Sequence, residues 1–162
     1  METPQITGEV FDAKYRLYGN MLFRIAMLSL GSREDAEEAV QETFLRLLTK
    51  APAFTGPEHE KRWLIRVITN LCRDRQKSFW RKHVVPLDNL QPYCRTQNDL
   101  KLTELVVQLP ASCKTVIYLY YYENYPVREI SQILHIGESA VKMRLKRGRT
   151  LLKLEMEANR CE

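Results

Sequence analysis

The sequence predicts an all-α protein: two small helical modules joined by a short linker, the C-terminal one containing a helix-turn-helix. Three observations predict it. Apolar residues recur at helical spacing through most of the chain, and no alternating run is long enough to argue for a sheet. A stretch with two prolines and no clear period, Val84–Gln97, separates two such helical regions. Basic charge also gathers in two separate segments. It is net +5 over residues 57–83 and +3 over 137–162, against −2 over 1–56 and −1 over 84–136.

The elements follow in order. An apolar pattern runs from Val10 to Leu30 and ends at Gly31. Ser32 then offers an N-cap, with Asp35 three residues on. A second helix is expected over 33–49, with Ala36, Val40, Phe44, Leu47 and Leu48 on one apolar stripe. Ala51-Pro52 ends it, because proline cannot continue the hydrogen-bond ladder. After the breaker-rich loop Ala53–Pro57 comes a third helix over 58–82. Its buried stripe is Leu64, Val67, Ile68 and Leu71, and Arg66, Asn70, Arg73 and Lys77 line a second, basic face. Beyond the linker, helices are expected over 98–108, 111–123, 126–134 and 137–158. Pro110 and Pro126 sit where helix starts tolerate a missing N–H. The domains are then 1–83 and 98–162, with 84–97 as linker.

Composition excludes several classes. The 162 residues suffice for one ordinary domain or two small ones, and 44 % apolar content is enough for a packed core. The longest apolar run, Val116–Tyr122, is too short to span a bilayer, and the N-terminus lacks an apolar signal core. A cytoplasmic protein is expected. Cys72, Cys94, Cys113 and Cys161 form no close pair, and His59, His83 and His135 stand alone. No metal site, redox site or cofactor is therefore expected. There is no P-loop and no nucleophile–base spacing, so an enzyme with a small-molecule substrate is not expected.

The most informative stretch is Val127–Arg149. Ile130, Ile133 and Leu134 give one short helix its apolar face, His135-Ile136-Gly137 makes a tight turn, and Val141 and Leu145 continue the face on the next helix. Two helices so joined, the second basic, form the helix-turn-helix pattern. The second helix would present Ser139, Lys142, Met143, Lys146 and Arg147 outward, with Arg144, Arg149 and Lys153 as phosphate contacts. His135 occupies a turn position where φ is often positive, and Gly137 serves as N-cap. The tyrosine-rich run 118–125 precedes the reading helix and is read as packing.

Three blocks in order resemble a bacterial RNA polymerase sigma factor of the extracytoplasmic-function (ECF) group. They are Ser32–Leu47, then Phe54-Thr55-Gly56 with Trp63–Asn70, and then Leu109-Pro110 with Val116–Tyr125 and the helix-turn-helix. The resemblance covers nearly the whole chain. It implies that the helix at 33–48 binds core RNA polymerase through Asp35, Glu38, Gln41, Glu42 and Leu45, which lie off the core stripe. It implies that loop 53–61 and the following helix read and help to melt the promoter's minus-ten element, the loop holding a flipped base. Asn70 would then touch a base edge, while Arg66, Arg73 and Lys77 follow the strand's phosphates. Trp63 is read as packing rather than stacking on a base, whereas Phe79 and Trp80 fit either role. The helix-turn-helix would read the minus-thirty-five element as duplex. An anti-sigma protein is an implied partner, and the free chain is expected to be a monomer. Two departures stand out: His135-Ile136-Gly137 replaces the family's commoner Gly-Ile-Ser, and Pro57-Glu58-His59 replaces its glycine-acid-serine loop. A helical nuclease would need a second acidic cluster, and a dimeric helix-turn-helix regulator would not need the helix at 63–73.

Overall fold

The structure, a computed structural model, describes the backbone of residues 6–78 and 104–160 and the side chains of 6–76 and 104–153. The linker 84–97, Phe79 and Trp80, the side chain of Lys77, and Cys94, Cys161 and His83 lie outside those residues. The chain divides into two compact units, Met1–His83 and Val84–Glu162. All regular structure among the described residues is helical.

In the first unit, α1 spans Gly8–Leu30, α2 Arg33–Lys50 and α3 Pro57–Ser78. Local chemistry sets each boundary. Thr7 caps α1 by accepting the Val10 N–H. Gly31 ends it in the left-handed region (φ 70°) and donates its N–H to the Met27 carbonyl. Ser32 Oγ accepts the Asp35 N–H and starts α2, and Pro57 occupies the first position of α3. Each helix packs on the other two. Leu22, Ile25 and Met27 of α1, Ala36, Val40, Phe44 and Leu47 of α2 and Leu64, Ile65 and Ile68 of α3 are buried and form the unit's core. Each such large side chain contributes about 1.5–3 kcal/mol by leaving water.

Leu48 departs from the predicted stripe: it is 42 % exposed. At about 100° per residue, Leu48 turns away from the line through Ala36, Val40 and Leu47 and emerges on the solvent side. Ala39 and Thr43 complete the buried stripe instead, the Thr43 hydroxyl donating to the Ala39 carbonyl at 2.8 Å.

The second unit's description begins with a helical turn at 104–106, closed by a turn before Pro110, so the predicted helix to 108 ends earlier. Then come α4 (Ala111–Ile117), a π-helical turn (Tyr118–Tyr122), α5 (Val127–Leu134) and α6 (Glu138–Arg160). The continuous helix predicted over 111–123 thus widens after Ile117. Glu123 N–H reaches back five residues to the Tyr118 carbonyl, and Tyr125 N–H six residues to that of Leu119. Within this turn the Tyr118 and Tyr122 rings stack at 5.1 Å, and Tyr118 Oη donates to Glu123 Oε1 at 3.0 Å. α6 crosses α4 at Gly148, where a Cβ would lie 2.8 Å from Ile117 Cγ1. Only glycine permits that approach.

Candidate functional site

Three faces carry the residues singled out by sequence. The first is the solvent side of α2. Glu38, Gln41 and Leu45 are exposed there, Leu45 by 52 %, while Asp35 and Glu42 are half-buried at its flank. Leu48 joins Leu45, so two exposed leucines stand among acids and a glutamine. That is an apolar centre with a charged rim, the anatomy of a docking surface. Glu42 pairs with Arg46 in the same helix at 3.3 Å. Glu38 accepts from Arg75 Nη1 at 3.2 Å and so joins α2 to α3. These are solvent-side pairs worth at most about 1 kcal/mol each. Sequence reading missed Leu48 and Arg75. Leu48 was findable from its spacing, three residues after Leu45 and seven after Gln41; Arg75 was not, because its partner lies on another helix.

The second face is built by the loop before α3 and by α3 itself. Phe54 sets its ring edgewise against His59 (5.3 Å) and Trp63 (5.6 Å), and Thr55 N–H donates to His59 Nδ1 at 3.1 Å. Trp63 is thus engaged with Phe54. Under the loop lies a cavity of about 310 Å³, lined by Ile6, Lys14, Leu47, Phe54, Pro57 and Glu60 among others. Its charged lining is one ion pair, Lys14 Nζ with the buried Glu60 carboxylate, which fastens the first turn of α3 to α1. Tyr18 Oη donates to the Pro57 carbonyl beside it. Burial, and then the Glu60 charge, push the Tyr18 hydroxyl above its ordinary range. Farther along α3, Arg66, Asn70 and Arg73 share a face. Arg66 and Asn70 are half-buried, and Arg73 Nη2 donates to Asn70 Oδ1 at 3.2 Å.

The third face is the helix-turn-helix. Ile130 and Ile133 of α5 and Val141 and Leu145 of α6 are buried against the unit's core. His135 holds the turn in the left-handed region (φ 53°) and donates its N–H to the Ser131 carbonyl. Ser131 Oγ in turn donates to the Ile136 carbonyl. Gly137 accepts the Val141 N–H at 3.1 Å. Burying Val141 and Leu145 turns the opposite side of α6 to solvent. Ser139, Lys142, Met143, Lys146 and Arg147 are exposed there, Met143 by 70 %. Arg144 is half-buried, and Arg149 and Lys153 are exposed. Arg149 Nε donates to Tyr121 Oη, and its guanidinium lies over the Tyr120 and Tyr121 rings at 5.3 and 5.5 Å. Of the tyrosine run, Tyr118 and Tyr125 are buried and Tyr121 is exposed.

Cys72 and Cys113 are buried free thiols, and burial pushes Cys72 up to about 12. Among the described residues no group of three or more His, Cys, Asp or Glu side chains is placed to hold a metal ion. No helix among them is long and apolar enough to cross a membrane.

Comparison with known proteins joins the three faces. Residues 15–82 match sigma-70 region 2, and residues 99–152 match sigma-70 region 4. Among curated relatives, the ECF RNA polymerase sigma factor SigM of Mycobacterium tuberculosis is 25 % identical over 146 residues, covering 88 % of this chain and 74 % of the relative. The ECF RNA polymerase sigma factor SigW of Bacillus subtilis is 27 % identical over 159 residues, covering 86 % and 85 %. Among solved structures, the sigma factor RpoE of Bartonella quintana, crystallised with the anti-sigma factor NepR, shares the fold. Its TM-score is 0.66 at 17 % identity, over 91 % of this chain and 96 % of that one. The α1–α3 unit carries the region 2 match and the helix-turn-helix unit the region 4 match, in family order, and the chain belongs to the ECF group of the sigma-70 family of RNA polymerase sigma factors.

Proposed function

We propose a division of labour among the three faces. As an ECF sigma factor, the chain binds core RNA polymerase and directs it to promoters. Leu45 and Leu48, rimmed by Glu38 and Gln41 and flanked by Asp35 and Glu42, dock on the polymerase, which acts in the cytoplasm. Arg66, Asn70, Arg73 and Lys77 read and track the minus-ten strand, and the cavity under Phe54 receives a base drawn from the stack. Ser139, Lys142, Met143, Arg144, Lys146, Arg147 and Arg149 engage the minus-thirty-five duplex through its major groove and phosphates. No metal or cofactor takes part, and the chain does no chemistry of its own.

One observation supports this most: among the described residues, α3 of the first unit and α6 of the second each carry a basic helix face, and α2 sets the exposed Leu45 and Leu48 among acids. Such a chain can touch DNA with each unit and its partner with α2. Run-off transcription with core polymerase and a promoter library tests it. Transcripts dependent on the chain, from templates sharing two elements, are expected; transcription unaffected by the chain overturns the reading.

The complex of the Bartonella quintana relative with an anti-sigma factor supports the same kind of regulation here. A pull-down from uninduced native cells is expected to recover an inhibitor protein. Recovery of polymerase without one counts against that part.

A further inference from the structure

α6 carries a basic stripe that its helical period makes continuous. Lys142, Lys146, Arg149 and Lys153 fall at i, i+4, i+7 and i+11, all exposed, over about 16 Å of helix. The lysines extend into solvent. Arg149 differs, because Tyr121 takes its Nε–H and the two tyrosine rings underlie its guanidinium. A guanidinium has five N–H groups in a fixed plane, so this grip leaves donors over on the Nη atoms and fixes where they stand. The tyrosines are themselves fixed. Their rings meet edgewise at 4.9 Å, and they belong to the π-helical turn, whose first two residues, Tyr118 and Leu119, are buried.

We propose that Tyr120 and Tyr121 hold Arg149 as a preordered phosphate clamp, so that the π-helical turn braces the DNA-contacting surface of α6 from behind. A free arginine loses rotamer entropy when it meets a phosphate. Here that loss is already made in the unbound chain, and the tyrosines add affinity without touching DNA. The π-turn thereby has a role: the wider turn sets Tyr120 and Tyr121 beside the reading helix. The proposal rests on the duplex-reading role assigned to α6.

The test measures binding of the chain, assembled with core polymerase, to a promoter duplex as a function of salt. Each phosphate contact contributes about 0.9 to the slope of log K against log [salt]. Arg149→Gln is expected to lower the slope by about that amount. Arg149→Lys keeps the charge and loses the planar grip, so the slope stays and affinity falls about fivefold. Tyr121→Phe, at an exposed position that need not disturb folding, is expected to do the same. The double variant Arg149→Lys with Tyr121→Phe should then be little worse than either single change. An unchanged slope for Arg149→Gln, or wild-type binding by Tyr121→Phe, overturns the clamp. Lys146→Gln separates the two readings: if it also leaves the slope unchanged, α6 does not meet DNA at all; if it lowers the slope while Arg149→Gln does not, only the clamp fails.

Discussion

α3 of the first unit and α6 of the second carry similar side chains but hold them differently. On α3, Asn70 and Arg66 are half-buried and Arg73 is hydrogen-bonded to Asn70, so the face is set before any ligand arrives. On α6, Lys142, Met143, Lys146 and Arg147 stand free in solvent, whereas Arg149 is braced. The difference suits the two targets proposed for these faces. A major groove is a preformed slot into which extended side chains reach. A melted strand has no shape of its own, so under the proposed assignment the protein must supply the geometry, and the prearranged Asn70–Arg73 pair would supply part of it. The attachments differ as well. α3 is fastened near its start by the Lys14–Glu60 ion pair and Tyr18, while α6 is fastened by close packing at Gly148.

The largest expected effects test whether each face depends on its own unit. Leu64 under α3 and Leu145 under α6 are buried. Leu64→Ala and Leu145→Ala should each cost about 2–5 kcal/mol. Hydrogen-exchange protection should fall in the mutated unit and persist in the other. Equal loss in both units would remove the basis for comparing them as separate bodies.

Next is the docking face, which should act upstream of both reading faces. Replacing the exposed Leu45 and Leu48 together by Asp should leave the fold intact and weaken polymerase binding at least tenfold. Titration of labelled chain against core polymerase measures it. Promoter-directed transcription should fall equally at all promoters.

Alkali should weaken the first unit through Cys72. Its thiol titrates near 9 when unfolded and at about 12 when folded. Between these values the unfolded chain has released the proton and the folded chain has not, so stability falls as pH rises from 9 towards 12. The loss at pH 10 is on the order of 1 kcal/mol. Urea denaturation at pH 8 and pH 10 should show this loss in the wild type and not in Cys72→Ala.

The smallest expected effect tests the contrast between the faces itself. In double-mutant cycles on promoter affinity, Asn70→Ala and Arg73→Ala should couple by about 0.5–1 kcal/mol. Lys142→Ala and Arg147→Ala should add within about 0.5 kcal/mol. Strong coupling on α6 and none on α3 would reverse the account.

Much of this organisation is legible in the sequence, for local physical reasons. The Gly31 stop, the Ser32 cap and the His135 turn each depend on a residue's own backbone or side-chain chemistry, and each stands where such chemistry places it, while Pro57, read as loop, proves to be the first residue of α3. The helix faces follow from period alone, which is why Arg66, Asn70 and Arg73 share one and Lys142 and Lys146 another. Features that depend on two distant segments are not legible. Arg75 meets Glu38 across helices, Lys14 meets Glu60 across 46 positions, and Arg149 meets Tyr121 across 28. The π-turn escaped because a run of tyrosines fits an ordinary helix equally well, and only packing in three dimensions favours the wider turn. Leu48 escaped because an apolar residue beside a buried stripe reads as core unless its angle is followed.

If both proposed reading faces act through polymerase, binding to a fluorescent promoter must depend on core polymerase, and titrations with and without it decide the matter. A base analogue in the minus-ten element would report strand opening in the same sample. Binding and opening are expected only when polymerase and chain are both present. Tight, sequence-specific binding to the closed duplex by the chain alone would contradict it and leave a dimeric helix-turn-helix regulator as the better description.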